Sequence, residues 1–287
     1  MLTLAEKSAR KFSRETPLGR KRRARKINRI LAATYPYAHA ELDFRNPFEL
    51  LVATVISAQT TDVRVNQVTP ELFSRYPDAF ALAAARIEDV ESIIRPTGFY
   101  RAKAKNIVAL ANKLVTDFDG VVPDTVRELT TLPGTGRKTA FVVMGNAFGM
   151  PGLTVDTHFG RLARRLGWSA QEDPVKVEAD VAELFEPRDW TMLSHRLIFH
   201  GRRICHSRKP ACGACPITAL CPSFGIGEVD PQQARALLTY EMAPGREAEY
   251  ARLCAEAGQT AASARGAANG AVADSSAPGA SGTGEAQ

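Results

Sequence analysis

The sequence predicts an all-α protein. Three observations carry that expectation. Helix start signals recur along the chain, prolines separate the apolar-periodic segments at short intervals, and no alternating run reads as a strand. The pair Val121-Val122 is too brief to form one.

Taken in order, residues 1–20 read as a flexible basic arm. Over residues 21–35, Ile27, Ile30 and Leu31 fall at helical spacing behind a basic run. Asn46-Pro47-Phe48-Glu49 is a start signal: Asn caps, Pro takes the first helical position, and Glu reaches back to the cap. The apolar residues 50–56 follow. Further helices are expected near 62–76, 78–84, 87–94, 101–117 and 125–131, punctuated by Pro36, Pro77, Pro96, Pro123 and Pro133. Asp156 can cap a helix running to Leu166, with Gly167 as its stop. Asp173-Pro174 repeats the cap-and-proline signal, and a last long helix is expected from Trp190 to Arg203. A short one is expected near 246–257. Residues 257–287 contain 21 Ala, Gly or Ser and no aromatic residue, so they cannot bury a core and are expected to be disordered.

Composition narrows the function classes. The 287 residues are 45% hydrophobic, enough for a packed core, yet no stretch reaches the roughly 18 apolar residues of a membrane span. The basic N-terminus lacks the apolar stretch of a secretory signal. Five cysteines are too few for a disulfide scaffold, and four of them fall within residues 205–221, a pattern that suggests a metal or cluster site in a reducing compartment. The net charge of +6 is unevenly spread. Residues 1–29 hold eleven Lys/Arg against two Asp/Glu, residues 229–287 hold four against seven, and the middle holds 22 of each sign. A polyanionic partner is suggested, reached by the arm and by the placement of charges on a neutral body.

Four motifs carry chemistry. Leu132-Pro133-Gly134-Thr135-Gly136-Arg137-Lys138-Thr139 puts two glycines between a helix ending near Thr131 and one starting near Arg137. Backbone N–H groups at that helix start can grip an anion, aided by the helix dipole. A nucleotide P-loop is excluded because its spacing and its Gly-Lys pair are missing. A helix-hairpin-helix holding a DNA phosphate fits, as does a plain tight turn. Lys138 sits one residue into the second helix, where the dipole favours a neutral, nucleophilic amine suited to imine chemistry. Val155-Asp156-Thr157-His158 follows eighteen residues on. Asp156 can cap a helix and, held ionised, stabilise a developing cation and shuttle protons. His158 can bond locally or touch a ligand. Finally, Cys205, Cys212, Cys215 and Cys221 can wrap one tetrahedral zinc or a [4Fe–4S] cube, and spacing alone does not choose. Gly201, Arg202, Arg203, Arg208 and Lys209 suggest a basic surface around that loop, and Cys254 reads as a free thiol.

In this order and spacing, the motifs resemble those of endonuclease III, the bifunctional DNA glycosylase and AP lyase of the helix-hairpin-helix superfamily. Ser57-Ala58-Gln59-Thr60-Thr61-Asp62 matches a further segment, and the resemblance spans residues 22–225. It implies two helical domains flanking a DNA-binding cleft. Residues 40–150 would form a six-helix barrel domain with the hairpin, and residues 21–39 plus 151–228 a second domain whose four cysteines hold [4Fe–4S]. Residues 1–20 and 229–287 would be a basic arm and a mostly disordered tail.

The resemblance also implies a base excision repair reaction on double-stranded DNA carrying a damaged, oxidised pyrimidine or an abasic site. Lys138 and Asp156 would be catalytic. Gly134, Gly136, Arg137 and His158 would contact DNA, Gln59 would fill the space left by the flipped base, and Phe99 would be the wedge where relatives usually carry an aliphatic residue. A monomer is expected, cytoplasmic and nucleoid-associated, with no membrane partner. The rivals are an adenine-mismatch glycosylase of the same superfamily and a non-catalytic iron–sulfur DNA-binding protein. Lys138 and the low-complexity tail argue against the first, and retention of both Lys138 and Asp156 against the second.

Overall fold

The computed structural model describes residues 2–240, 247–248 and 251–255. Among them, every regular element is helical. The α-helices are α1 Leu4–Phe12, α2 Pro17–Thr34, α3 Pro47–Ile56, α4 Asp62–Arg75, α5 Ala79–Ala83, α6 Ile87–Ile94, α7 Tyr100–Phe118, α8 Val126–Leu129, α9 Arg137–Ala147, α10 Thr157–Arg165, α11 Pro174–Ala182, α12 Trp190–Arg203 and α13 Pro231–Ala236. No helix among these residues is long and apolar enough to cross a membrane.

The starts follow local chemistry. Asn46 accepts from the Glu49 N–H at 2.9 Å, with Pro47 in the first turn. Asp156 accepts from Phe159 N–H at 2.7 Å, and Asp173 from Val175 and Lys176 N–H at 3.0 Å. Each bond satisfies a donor that the first turn leaves without an intrahelical partner.

Two hydrophobic cores result. The first is built from α3 to α9, from Leu42 to Met144, around α3, whose residues 48–56 are all buried. The second is discontinuous in sequence. Ala24, Ile27 and Leu31 of α2 pack with Phe159 and Leu162 of α10, Val177 and Val181 of α11, and Leu193 and Leu197 of α12.

Two expectations at the chain ends are corrected. Within the span expected to be a flexible arm, residues 4–12 and 17–20 are helical, and the first of these helices is docked. Thr3 and Glu6 close a capping box, the Ser8 hydroxyl donates to the Cys221 carbonyl at 2.9 Å, and Lys11 Nζ donates to Ala219 O at 3.2 Å. Glu15 pairs with buried Arg23 at 2.7 Å, and Arg23 donates onward to Leu166 O and Leu220 O. Gly225 lies so close to this helix that a Cβ there would be 2.8 Å from the Ala5 nitrogen. Charge density read along the sequence could not reveal a docking site more than two hundred residues away. At the other end, residues 230–240 are not a disordered tail. Asp230 caps α13, and Ala234 is buried with Ile204 and Ala211. Of the helix expected near 246–257, residues 247–248 and 251–255 are helical. Residues 257–287, expected to be disordered, lie outside the described residues.

Candidate active site and cluster loop

The hairpin turn is seated on the first core through buried Leu129, Leu132, Ala140 and Val143. Gly134 has φ +75°, the left-handed region, and a Cβ there would press on Val55 at 3.0 Å and Asn106 at 3.2 Å. Only glycine satisfies both constraints. Gly136 is the N-cap of α9 and has open space where a side chain would stand. No side chain caps α9, so its first N–H groups are available to a ligand. The neighbouring Thr135 hydroxyl is buried without a hydrogen-bond partner.

Lys138 and Asp156 line one cavity of about 100 Å³ between the two cores, together with His39, Asn146, His195 and Arg202. Lys138 is exposed and Asp156 half-buried. Asp62, the first residue of α4, is the third charged member that bears on them. Burial raises its pKa above the ordinary carboxylate value; Lys138 pulls it down and Asp156 pushes it up. Arg202 of α12 pairs with Asp62 at 2.9 Å and with Glu41, tying the second core to the first across the cavity. His195 Nε2 donates to Asn146 Oδ1 at 2.8 Å, and burial, with His39 and Arg196 adding repulsion, pushes its pKa down to about 4.

The other sequence-derived residues sort unequally. Gln59 and Phe99 are both exposed, and both are non-glycine residues in the left-handed region, at φ +58° and +49°. Phe99 is 74% exposed and so is not part of a core. Each conformation costs energy and persists only where surroundings impose it. Arg137 Nε and Nη2 donate to Glu178, at 3.0 and 2.7 Å, and its guanidinium lies over the Phe141 ring. His158 is half-buried; burial lowers its pKa, Asp156 raises it, and Arg161 lowers it again. Arg161 donates to its Nδ1 at 3.2 Å. The basic surface expected around the loop is also reduced, because Arg202 and Arg203 turn to Asp62 and Glu41.

Glu41, Asp62, Asn146, His195 and Arg202 were not legible as site residues. They come from three separate helices and a loop, and no local spacing announces their meeting. Asp62 lay within a matched segment, yet its place beside Lys138 and Asp156 is set by packing.

The four cysteines line one further cavity, walled by Leu162, Leu166, Ile204, Ala211 and Ile217. Burial raises the Cys205 and Cys215 thiols and pushes Cys221 up to about 11, and repulsion among the four sulfurs adds to each. Four thiolates at one apolar place therefore need a cationic centre. Among the described residues no three His, Cys, Asp or Glu side chains are arranged to hold a metal ion. A multi-iron core does not require that convergence, since each thiolate reaches its own iron. Polar groups around the sulfurs fit an anionic ligand set. Arg165 donates to Cys205 Sγ at 3.2 Å, and His200 Nε2 lies 3.4 Å from Cys215 Sγ. Burial holds His200 neutral, pushing its pKa down to about 3. The Tyr35 hydroxyl lies 3.0 Å from Nδ1, so the ring is held between tyrosine and sulfur. Arg161 also donates to Cys205 O and Gly201 O at 3.0 Å, joining the helix capped by Asp156 to this loop.

Comparison with known proteins places these features together. Residues 52–187 match the HhH-GPD superfamily base excision DNA repair protein family, and residues 205–221 match the iron-sulfur binding domain of endonuclease III. The chain is 51% identical over 205 residues to endonuclease III of Synechocystis sp. (strain ATCC 27184 / PCC 6803 / Kazusa), covering 71% of this chain and 94% of that relative. The chain belongs to the endonuclease III family. The Bacillus subtilis (strain 168) endonuclease III is 44% identical over 188 residues, covering 65% of this chain and 86% of that one. Two solved structures agree in fold at 43% identity: a non-covalent endonuclease III–DNA complex with a TM-score of 0.68, covering 70% of this chain and 94% of that one, and a trapped endonuclease III–DNA covalent intermediate at 0.67, covering 70% and 95%. As in its family, the cofactor is a [4Fe–4S] cluster; Cys205, Cys212, Cys215 and Cys221 are the residues that would hold it.

Proposed function

We propose that this endonuclease III excises oxidised pyrimidines from double-stranded DNA and cleaves the resulting abasic strand with Lys138 as nucleophile and Asp156 as its electrostatic and proton-transfer partner. The observation that carries the assignment is the single cavity that both side chains line between the two cores. A damaged nucleotide must leave the base stack to reach that cavity. Lys138 Nζ attacks C1′, the C1′–N bond breaks, and the base departs with its electron pair and a proton. The carboxylate of Asp156 stabilises positive charge on the sugar and accepts the proton the amine must lose. The nitrogen lone pair then expels the ring oxygen, giving a protonated imine. Loss of a C2′ proton drives elimination of the C3′–O bond, which cuts the strand on the 3′ side of the sugar.

The other residues support this reading. Gly134, Gly136 and the uncapped start of α9 hold a phosphate without reading sequence. Gln59 enters the place of the extruded base, His158, two residues from Asp156, contacts the DNA, and Phe99 presents an exposed ring to the duplex as a wedge. When bound, the iron–sulfur cluster would give the loop a rigid core to close around, held by Cys205, Cys212, Cys215 and Cys221. One chain contains the whole constellation, so a monomer suffices, and a DNA substrate fits a cytoplasmic, nucleoid-associated enzyme. The rival adenine-mismatch reading lacks a use for the lysine at 138.

Borohydride reduction of wild-type protein with an abasic duplex should trap a covalent adduct, and Lys138→Ala should trap none. An adduct formed equally by Lys138→Ala would assign the nucleophile to another amine.

A further inference from the structure

Beyond the cluster loop the chain turns back onto α12. α13 buries Ala234 against Ile204 and Ala211, and Leu237 and Leu238 pack on the same small cluster. Thr239 then fastens the chain to the end of α12. Its N–H donates to Arg203 O at 3.2 Å, and its hydroxyl donates to Arg202 O at 2.6 Å. These are carbonyls for which the last turn of a helix has no internal partner. The next residue, Tyr240, is left-handed at φ +54°, a conformation that a tyrosine adopts where its surroundings dictate it. Its ring lies 4.9 Å from the Arg203 guanidinium, which itself lies 3.8 Å from the Phe199 ring. The tyrosine is nevertheless 42% exposed.

The ring borders a groove of about 650 Å³ that also contains Thr60, Asp62, His158, Arg161 and Arg202. His39, Glu41, Asp62 and Arg202 line this groove and also the cavity of Lys138 and Asp156. The two spaces therefore share a wall. The groove combines hydrogen-bonding side chains of both signs with one exposed aromatic face. A nucleobase needs that combination: a surface to stack on, and donors and acceptors for its edge.

We propose that Tyr240 forms a stacking wall for the damaged base turned out toward Lys138, so that the segment following the cluster loop contributes directly to substrate binding. The inference rests on the glycosylase reading above. It assigns a substrate contact to a residue outside the matched family segments, which end at residue 221.

The test compares Tyr240→Ala and Tyr240→Phe with wild type in single-turnover assays on two duplexes, one carrying an oxidised pyrimidine and one a preformed abasic site. Tyr240→Ala should lower base release by about tenfold relative to abasic-site cleavage, the effect of losing one aromatic–base stack. Tyr240→Phe keeps the ring and should restore the ratio. Unchanged visible absorption and Tm would show that the cluster loop is intact. Equal losses on both duplexes, or none, would overturn the proposal and reduce Tyr240 to a brace for Arg203. A wild-type chain inactive on both duplexes would instead refute the enzymatic reading, and the proposal with it.

Discussion

The hairpin at residues 132–139 and the cluster loop at residues 205–221 are both irregular turns that carry chemistry, and they are held in opposite ways. The hairpin closes within eight residues on buried Leu132 and Ala140, with Gly134 fitted against Val55 and Asn106. The cluster loop has only short 3₁₀ turns of its own, and Pro210, Ala211 and Ile217 are its buried residues. It is held from outside: by Arg161 and Arg165 of α10, by Ser8 and Lys11 of α1, and by Glu228, whose carbonyl accepts from Gly213 N–H at 2.8 Å. A short turn can draw its geometry from the core beneath it. A seventeen-residue loop with little core of its own depends on what it binds and on what clamps it.

The contrast can be broken most severely at the two chemical centres. Lys138→Ala should abolish strand cleavage while changing stability by less than about 0.5 kcal/mol, because an exposed side chain leaves no cavity. Thermal denaturation beside a cleavage assay checks this, and a large drop in Tm would mean that the hairpin needs the lysine to fold. Cys215→Ser should do the reverse in kind. Visible absorption and bound iron should fall together, damaged-duplex binding should be lost, and limited proteolysis should cut within 205–221 while residues 42–144 resist. A colourless variant that keeps its protease resistance would show that the external clamps alone hold the loop.

A smaller effect separates two roles of one side chain. Asp156→Asn keeps a good helix cap and should lower single-turnover excision by roughly a hundredfold. Asp156→Ala should add about 1 kcal/mol of destabilisation from the lost cap. Equal excision rates for wild type and Asp156→Asn would leave the residue as a cap alone. The smallest effect concerns the clamp. Deleting residues 2–14 removes the Ser8 and Lys11 contacts and should speed iron release to a chelator severalfold, with cleavage by freshly prepared protein little changed. Superimposable bleaching curves would show that α1 covers the loop without protecting it.

What the sequence made legible follows the same division. Caps, prolines and glycines act within a few residues, so Asn46, Asp156, Asp173 and the hairpin glycines announced their elements, and the four cysteines announced their loop. Side-chain partners set by packing were not legible. Nothing local announced that Arg137 pairs with Glu178, on α11. Arg202 and Arg203 looked like a basic surface until Glu41 and Asp62 met them. The eleven cations of residues 1–29 concealed a docked helix, because a charge count does not register Ser8, Phe12 or Glu15.

The discontinuous second core fixes an order of assembly. Residues 42–144 form a contiguous core that can close as the ribosome delivers it, whereas α2 must wait for α10 and α12, more than a hundred residues later. The helix at the very start waits longest, since the Ser8 acceptor on Cys221 is 213 residues downstream. Residues 4–12 are thus made long before the loop on which they dock. A nascent chain halted before Cys205 would carry one finished core, an unanchored α1 and no cysteine with which to capture iron.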